Sequence, residues 1–313
     1  MRWNRSCRLE RGTSKLKHVV GISLGSSTRD HVVTVELKGE EYKIERIGTD
    51  GDMKKMVERI AELDGQVDAF GLGGMDLYIY AVDRRYVIRD AKRIVRAAQK
   101  TPIVDGSGLK NTLERRAIEY LAKNTDLFKE PKKVLLMCAM DRLGMAQALE
   151  EAGCIMTYGD LPYVLGLPIP LKSLKSLALI ARVLAPPVSQ LPFTMVYPTG
   201  EKQTENKPRF TQYFEQNEII AGDFHFIHRY MPKELPGKTI ITNTVTSSDV
   251  DFLRKSRAKT LITTTPEMEG RSFGTNVMEA LLVCMAGGDH ELDEGQYNQL
   301  LVDLDLKPRI LDL

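Results

Sequence analysis

The sequence predicts an α/β protein of two domains, with a Rossmann-like open parallel sheet in the C-terminal one. Its 313 residues are typical of about two domains. Two β-branched runs, Thr239–Val245 and Thr260–Thr265, flank a segment that starts with hydroxyl and acidic residues and ends with basic ones. Such a segment is typical of a helix, and strand–helix–strand predicts two parallel strands. A second unit of this kind runs from Val134 to Asp160.

Strands, hairpins and helices alternate in the N-terminal half. Apolar or alternating runs bounded by turn residues predict strands, and the amphipathic run after Thr49 predicts a helix. The expected elements are strand His18–Leu24, hairpin Val32–Leu37 with Tyr42–Ile47, helix Asp50–Asp64, strand Val67–Leu72, hairpin Leu77–Val82 with Arg85–Ile88, helix Asp90–Lys100, strand Thr101–Val104, and a helix that ends near Leu127.

The C-terminal half carries the two strand–helix–strand units and several further elements. We expect strand Val134–Met140, a helix ending at Glu151, strand Cys154–Tyr158, helix Leu171–Leu184 stopped by Pro186 and Pro187, strand Phe193–Tyr197, a mixed segment Ile219–Tyr230, and a helix over Glu291–Leu304. The domains predicted are a disordered tail over 1–17, an N-terminal α/β substrate domain over 18–130, a Rossmann-like nucleotide-binding domain over 131–288, and a helical tail over 289–313.

Composition narrows the function. The net charge is +2 and 42% of residues are hydrophobic, so no partner such as nucleic acid or a membrane is indicated. The four cysteines have no metal-like spacing, and His225-x-x-His228 has no third ligand at useful spacing, so no metal is expected. Buried, reduced cysteines and a basic N-terminal segment without an apolar run indicate a cytoplasmic protein.

Polar residues cluster where the two C-terminal strands end. Asn243 follows the first strand, and Thr263, Thr264 and Thr265 close the second. In an open α/β sheet this edge binds ligands. Arg271 and Gly274 then precede a helix that begins near Thr275, which favours an anion site for a cofactor. The simpler interpretation is that the threonines reflect β-propensity and Arg271 a surface ion pair.

The unit from Val134 to Asp160 has the outline of a dinucleotide-binding motif. Asp141, Arg142 and Gly144 form the loop before the helix, and Asp160 lies about 20 residues beyond the first strand, where a ribose hydroxyl is held. The loop has one glycine where the motif has three. The alternative is a structural unit in which Asp141 caps the helix.

Two further groups are candidates for chemistry. Asp105 and Lys110 frame a glycine-rich turn before a helix, and a lysine beside a carboxylate can act as a general acid or base. A surface ion pair is the alternative. Ser26, Ser27 and Arg29 follow the first strand and could hold a substrate carboxylate. A rival interpretation is the phosphate hairpin of the actin and sugar-kinase superfamily, in which an Asp stands where this chain has Ser23.

Six phrases of the chain carry a family resemblance: SLGSSTRDH, ERIGTDGDM, DAFGLGGMDLY, IVDGSGLKNTLER, TNTVTSSDV and TTTPEMEGRSFGTNVMEA. They resemble a bacterial family named quinate 5-dehydrogenase. The resemblance implies oxidation of a ring hydroxyl of quinate or a related cyclic hydroxy acid with NAD or NADP, Lys110 and Asp105 moving the proton. The alternative is a non-catalytic sensor of a small molecule or phosphometabolite, which the missing glycine motif favours.

Overall fold

A computed structural model describes residues 16–81, 84–192, 206–265, 267–268, 271–272 and 274–313. Two sheets of mainly parallel strands, one in each half of the chain, carry helices on their faces. This confirms the predicted α/β class with a Rossmann-like C-terminal sheet. Met1–Lys15 and the expected strand Phe193–Tyr197 lie outside the described residues.

The N-terminal sheet has five strands in the order β2-β3-β1-β4-β7. Their bounds are β1 Lys17–Ser23, β2 His31–Leu37, β3 Glu40–Gly48, β4 Ala69–Gly73 and β7 Ile103–Val104. A separate hairpin pairs β5 (Tyr78–Ala81) with β6 (Arg84–Val87). Helices α1 (Met53–Leu63) and α2 (Ala91–Ala97) share an apolar core with this sheet. Helix α3 (Ser107–Asn124) then leads into the second half.

The C-terminal sheet has six strands in the order β15-β12-β11-β10-β8-β9. Their bounds are β8 Lys133–Leu136, β9 Ile155–Tyr158, β10 Ile219–Ala221, β11 Thr239–Thr242, β12 Thr260–Thr263 and β15 Arg309–Asp312. All pairs are parallel except β12 with β15. Because the chain leaves β8 toward β9 and later returns to β10 on its other side, the strand order reverses between β8 and β10, where ligands commonly bind.

Seven further helices and two very short strands belong to the described chain, besides a 3-10 turn over Ser27–Arg29. They are α4 Leu143–Glu151, α5 Leu174–Val188, α6 Thr211–Gln216, α7 Phe224–Tyr230, α8 Ser247–Lys255, α9 Thr275–Ala286, α10 Glu294–Asp303, and the strands β13 Glu267–Met268 and β14 Arg271–Ser272. A π-helical turn covers Asp160–Leu165. Among the described residues, no helix is both long and apolar enough to cross a membrane.

The chain crosses between the two sheets more often than the predicted domains allow. Helix α9 follows β12 of the C-terminal sheet but packs on β1 and β4 of the N-terminal one, and α10 packs against α3. The final segment then adds β15 to the C-terminal sheet. The boundaries at 288 and 289 are therefore corrected: residues 275–303 pack with the N-terminal half, and the expected helical tail ends in a strand.

Two glycines make room for α9 on the N-terminal sheet. A Cβ on Gly71 would lie 2.5 Å from the Asn276 backbone oxygen, and a Cβ on Gly21 would overlap the Val277 side chain. The first turn of α9 therefore rests directly on the backbone of β1 and β4. This contact fixes the start of α9 at the carboxyl edge of the sheet.

Two local predictions need correction. Helix α5 continues through Pro186 and Pro187 to Val188. Neither proline has a backbone N–H to donate to the carbonyl four residues earlier, and those two residues, 182 and 183, are exposed. The expected strand Val134–Met140 ends at Leu136, because the backbone of Ala139 and Met140 turns to donate to Asp160.

The packing of α9 gives a test of the fold. Gly71→Ala places a methyl group against the Asn276 backbone, so the free energy of unfolding should fall by about 1–3 kcal/mol in urea denaturation, as for other overpacked cores. Gly295→Ala, at an exposed position of α10, is the control and should leave stability unchanged or slightly higher. A Gly71→Ala protein as stable as the wild type would contradict the close contact.

Candidate ligand-binding cleft

The carboxyl edges of the two sheets face one another across a cavity of about 490 Å³. The N-terminal half lines it with the loops after β1, β4 and β7, and the C-terminal half with those after β8, β10 and β11. The start of α9 completes the wall. Its polar lining residues are Ser23, Thr28, Arg29, His31, Arg46, Asp76, Asp105, Lys110, Asp141, Arg142, Asp223, His225, Arg229, Asn243, Thr244, Thr246, Ser247, Thr275 and Asn276.

Lys110 stands at one end of the cleft between two carboxylates. Its Nζ donates to Asp76 Oδ1 at 2.6 Å and to Asp141 Oδ1 at 2.7 Å, and its side chain is only 9% exposed. Burial alone would lower the pKa of Lys110, but the adjacent carboxylates outweigh burial and hold it well above its ordinary value. Lys110 is therefore a fixed cation at neutral pH, with two of its three N–H groups bound to carboxylates.

Asp105 lies beside this group but is held by the backbone. Its Oδ2 accepts from Leu77 N at 2.6 Å and its Oδ1 from Ser107 N at 2.9 Å. Burial raises its pKa, and the nearby charge of Asp76 adds to the effect. The hydrogen-bonded ion pair expected between Lys110 and Asp105 is thus made with Asp76 and Asp141 instead, while Asp105 shapes the turn before α3.

Arg142 is a buried guanidinium that connects the two ends of the cleft. It is 1% exposed, donates to the fully buried Glu114, and lies 3.3 Å from Asp223 Oδ2. Its Nε is 4.0 Å from Asp141 Oδ2. Burial alone would lower the pKa of Arg142, but the surrounding carboxylates raise it, so its charge is permanent.

The opposite end of the cleft is cationic. Arg29 Nη1 of the N-terminal half lies 3.3 Å from His225 Nε2 of the C-terminal half. No carboxylate within the described part of the chain contacts Arg29. Burial lowers the pKa of His225, and Arg29 adds to the effect, so the ring is neutral at pH 7 and can accept from Arg29. Arg46 stands close by and donates to Asp30 Oδ1 at 2.8 Å.

The other residues proposed for substrate binding take different positions. Asn243 lines the cleft and donates from Nδ2 to Asp223 at 3.0 Å. The Ser26 side chain accepts from Thr28 N within its own turn, and the exposed Ser27 donates its backbone N–H to Asp50. Arg29 lines the cavity, whereas Ser26 and Ser27 are not among its lining residues.

The residues proposed for the cofactor are mostly turned inward. Both carboxylate oxygens of the buried Asp160 accept from backbone N–H groups, those of Ala139 and Met140. A Cβ on Gly144 would overlap the Asn111 backbone of α3, so α3 covers the start of α4. Thr263, Thr264 and Thr265 are buried, and Gly274 lines the cleft. The side chain of Arg271 lies outside the described residues, so its anion site stays a prediction.

Sequence reasoning missed Asp76, Asp223 and Arg46. Asp76 follows β4 at the carboxyl edge of the sheet, and this position was the available signal. Asp223 follows β10 in the same way, within a segment that had no clear pattern. Among the described residues no group of three or more His, Cys, Asp or Glu could hold a metal ion. His228 packs its ring on Phe252 at 4.7 Å.

Glu279 is a further unforeseen residue and supports the turn that presents Lys110. This buried carboxylate of α9 accepts from Gly106 N at 2.5 Å, Gly108 N at 3.1 Å and Tyr297 Oη at 2.6 Å. Gly106 has φ = 94°, a conformation that favours glycine. Burial, reinforced by the charge of Asp105, raises the pKa of Glu279 to about 8.

The comparisons with known proteins place the chain in a family. Residues 108–313 match the family described as Domain of unknown function (DUF8754), and the chain belongs to it. Residues 18–105 match Domain of unknown function (DUF8753). The two matches meet at the turn that begins α3. No curated protein matches the chain.

Similar solved structures include dehydrogenases and sugar-binding proteins, all loosely similar. A Mycobacterium smegmatis protein in complex with beta-D-fucofuranose is 8% identical, with 92% of this chain and 94% of that chain covered and a TM-score of 0.34. Entamoeba histolytica malic enzyme is 10% identical (88% and 60% covered, TM-score 0.36). A point mutant of glutamate dehydrogenase is 10% identical (92% and 72% covered, TM-score 0.41).

The Lys110 cluster predicts a pH-dependent loss of stability. Lys110→Met leaves Asp76 and Asp141 without their cation, which should lower the free energy of unfolding by about 3 kcal/mol near neutral pH. Burial raises the pKa of Asp141, and without the Lys110 ammonium this carboxyl takes up a proton more readily as pH falls, so the loss should shrink toward about pH 5. Lys54→Met, at an exposed ion pair on α1, is the control. A loss that is equal at both pH values would contradict this assignment.

Glu279 predicts that part of the stability of the wild-type protein is lost as pH rises. Folding raises the pKa of Glu279 from 4.5 to about 8. The protonated carboxyl therefore stabilises the folded state fully below pH 4.5, and this stability is lost as the pH rises to about 8. Glu279→Gln stays neutral at every pH and should flatten this part of the curve in denaturation at several pH values. Glu58→Gln, exposed on α1, is the control. An unchanged slope in Glu279→Gln would show that the carboxyl is already ionised.

Proposed function

We propose that the cleft binds a small organic anion that also carries hydroxyl groups. Quinate or a related cyclic hydroxy acid is the specific candidate suggested by the sequence, and a phosphometabolite is the other. One observation carries the proposal: Arg29 faces the cleft beside Arg46 with no carboxylate partner among the described residues. Because Lys110 and Arg142 are matched by carboxylates, the Arg29 end is where an incoming anion gains most.

The Lys110 end suits hydroxyl groups. The ammonium of Lys110 can donate its third N–H, and Asp76 and Asp141 can accept from hydroxyls. A molecule with an anionic group at one end and hydroxyls at the other therefore matches the cleft. Since the two halves of the chain supply opposite walls, such a ligand bridges them.

Removal of the proton of a bound ring hydroxyl, as in its oxidation with NAD or NADP as the hydride acceptor, is the second candidate function. The pairing of Lys110 with Asp141 supports this function. Burial raises the pKa of Asp141, and a carboxylate with a raised pKa is a better proton acceptor near neutral pH. Asp141 would accept the hydroxyl proton while the Lys110 ammonium stabilises the oxyanion. This assigns to Asp141 the proton-accepting role that the sequence suggested for Lys110 with Asp105.

The residues suggested for NAD or NADP do not fit a dinucleotide at the start of α4. A pyrophosphate needs the open amino end of this helix, and α3 covers it at Gly144. A ribose needs the free carboxylate of Asp160, which is buried and bound to backbone N–H groups. We therefore derive no hydride-transfer step. The protein is titrated with NADPH in the presence of quinate, and binding is monitored by energy transfer from tyrosine to the nicotinamide. We expect no signal. A saturable signal would support the oxidoreductase function.

Arg29 gives the direct test of anion binding. Arg29→Gln should weaken binding of the anions that bind the wild type by about 10- to 100-fold in titration calorimetry, as expected for hydrogen bonds to a charged group. Its melting temperature should stay unchanged, because no described carboxylate depends on Arg29. Arg59→Gln, exposed on α1, is the matched control. Equal affinities for the Arg29→Gln and wild-type proteins would refute the proposed site.

A further inference from the structure

We infer that the anionic group of the ligand is a phosphate ester, so that the cleft takes a singly phosphorylated polyol. This rests on the proposed binding function and narrows its ligand class. The inference comes from the cationic end of the cleft, defined here as Thr28, Arg29 and Arg46 of the N-terminal half with His225, Arg229, Thr244, Thr246 and Ser247 of the C-terminal half.

The number of donors at this end of the cleft favours a phosphate ester. A planar carboxylate is satisfied by one bidentate arginine, whereas a phosphate ester has three strong acceptor oxygens in a tetrahedral arrangement. At this end of the cleft, arginine and threonine side chains come from one wall. The other wall presents His225 and Arg229, one turn apart on α7, and the Ser247 hydroxyl at the start of α8, whereas the Thr246 hydroxyl donates to Asp249 Oδ2 at 2.7 Å. Donors on two opposite walls suit the tetrahedral group.

The charge at this end of the cleft favours the same group. Burial lowers the pKa of Arg46, and the neighbouring charge of Arg29 lowers it further, so the two guanidinium groups repel each other. Asp30 neutralises Arg46 in part, but its Oδ1 also accepts from Gly48 N at 2.6 Å. A phosphate ester carries a charge of about −1.5 to −2 at neutral pH. It therefore relieves this repulsion more completely than a carboxylate with a single charge.

The start of α8 strengthens the same end. Burial lowers the pKa of His225, and the negative charge of Asp249, in the first turn of α8, opposes this shift. The amino end of α8 therefore lies close to the histidine. The Asp249 carboxylate is turned toward Thr246, whose backbone N–H donates to it at 2.7 Å. The helix dipole there favours an anion. This contribution adds to the Arg29 cluster and would not by itself define a site.

The opposite end limits the ligand to one phosphate. Asp76, Asp105 and Asp141 surround Lys110 there, and burial raises the pKa of both Asp105 and Asp141, which indicates an environment unfavourable to further negative charge. A second anionic group would be repelled, whereas hydroxyls can donate to these carboxylates. The chemistry that fits both ends is a polyol with one phosphate ester.

Matched ligand pairs test this inference by titration calorimetry. Glucose 6-phosphate is compared with glucuronate, and glycerol 3-phosphate with glycerate, with quinate and inorganic phosphate as separate probes. At least one phosphate ester should bind about 10-fold or more tightly than its carboxylate partner. That binding should fall about 10-fold or more in Arg29→Gln, less in Arg29→Lys, and not at all in Arg59→Gln. Thermal melting confirms that each variant is folded.

The outcomes separate the two proposals. If quinate or another carboxylate binds in an Arg29-dependent way as tightly as the phosphate esters or more so, the phosphate inference fails while the proposed anion-binding function stands. If no probe binds in an Arg29-dependent way, both fail. Binding of inorganic phosphate as tight as that of the esters would also overturn the polyol part of the inference.

Discussion

The ammonium group of Lys110, held between the carboxylates of Asp76 and Asp141, is the interaction on which the cleft depends. An unpaired charge at this depth would be strongly unfavourable, so the three side chains must stay together. Asp76 follows β4 of the N-terminal sheet and Asp141 follows β8 of the C-terminal sheet. Lys110 therefore joins the carboxyl edges of both sheets at one point, and the cavity opens beside it.

The path of the chain serves this junction. Helix α3 begins at the turn that carries Asp105 and Gly106, and Glu279 of α9 holds that turn through backbone N–H groups. Because α9 belongs in sequence to the second half but packs on the first sheet, the two halves share more than one connection. From Lys110 a line of charges continues through Asp141 and Arg142 to Asp223 and ends at the cationic group around Arg29.

The sequence predicted what depends on local pattern. The parallel pairing of β11 with β12 followed from two β-branched runs and is confirmed. Lys110 was singled out from the glycine-rich turn before it. Its partner Asp76 was not, because that contact spans 34 residues and no periodicity reports it. The course of α9 onto the N-terminal sheet is likewise set by Gly21 and Gly71, whose role appears only when the helix is in place.

Hydrogen–deuterium exchange tests the central claim, that a bound anion bridges the two halves of the chain. Exchange is measured with and without saturating quinate or glucose 6-phosphate, whichever binds more tightly. The account predicts slower exchange both in residues 25–30 after β1 and in residues 243–248 before and within α8, with no change in the exposed helix α1. Protection in one of these segments alone, or in neither while the ligand is bound, would contradict it.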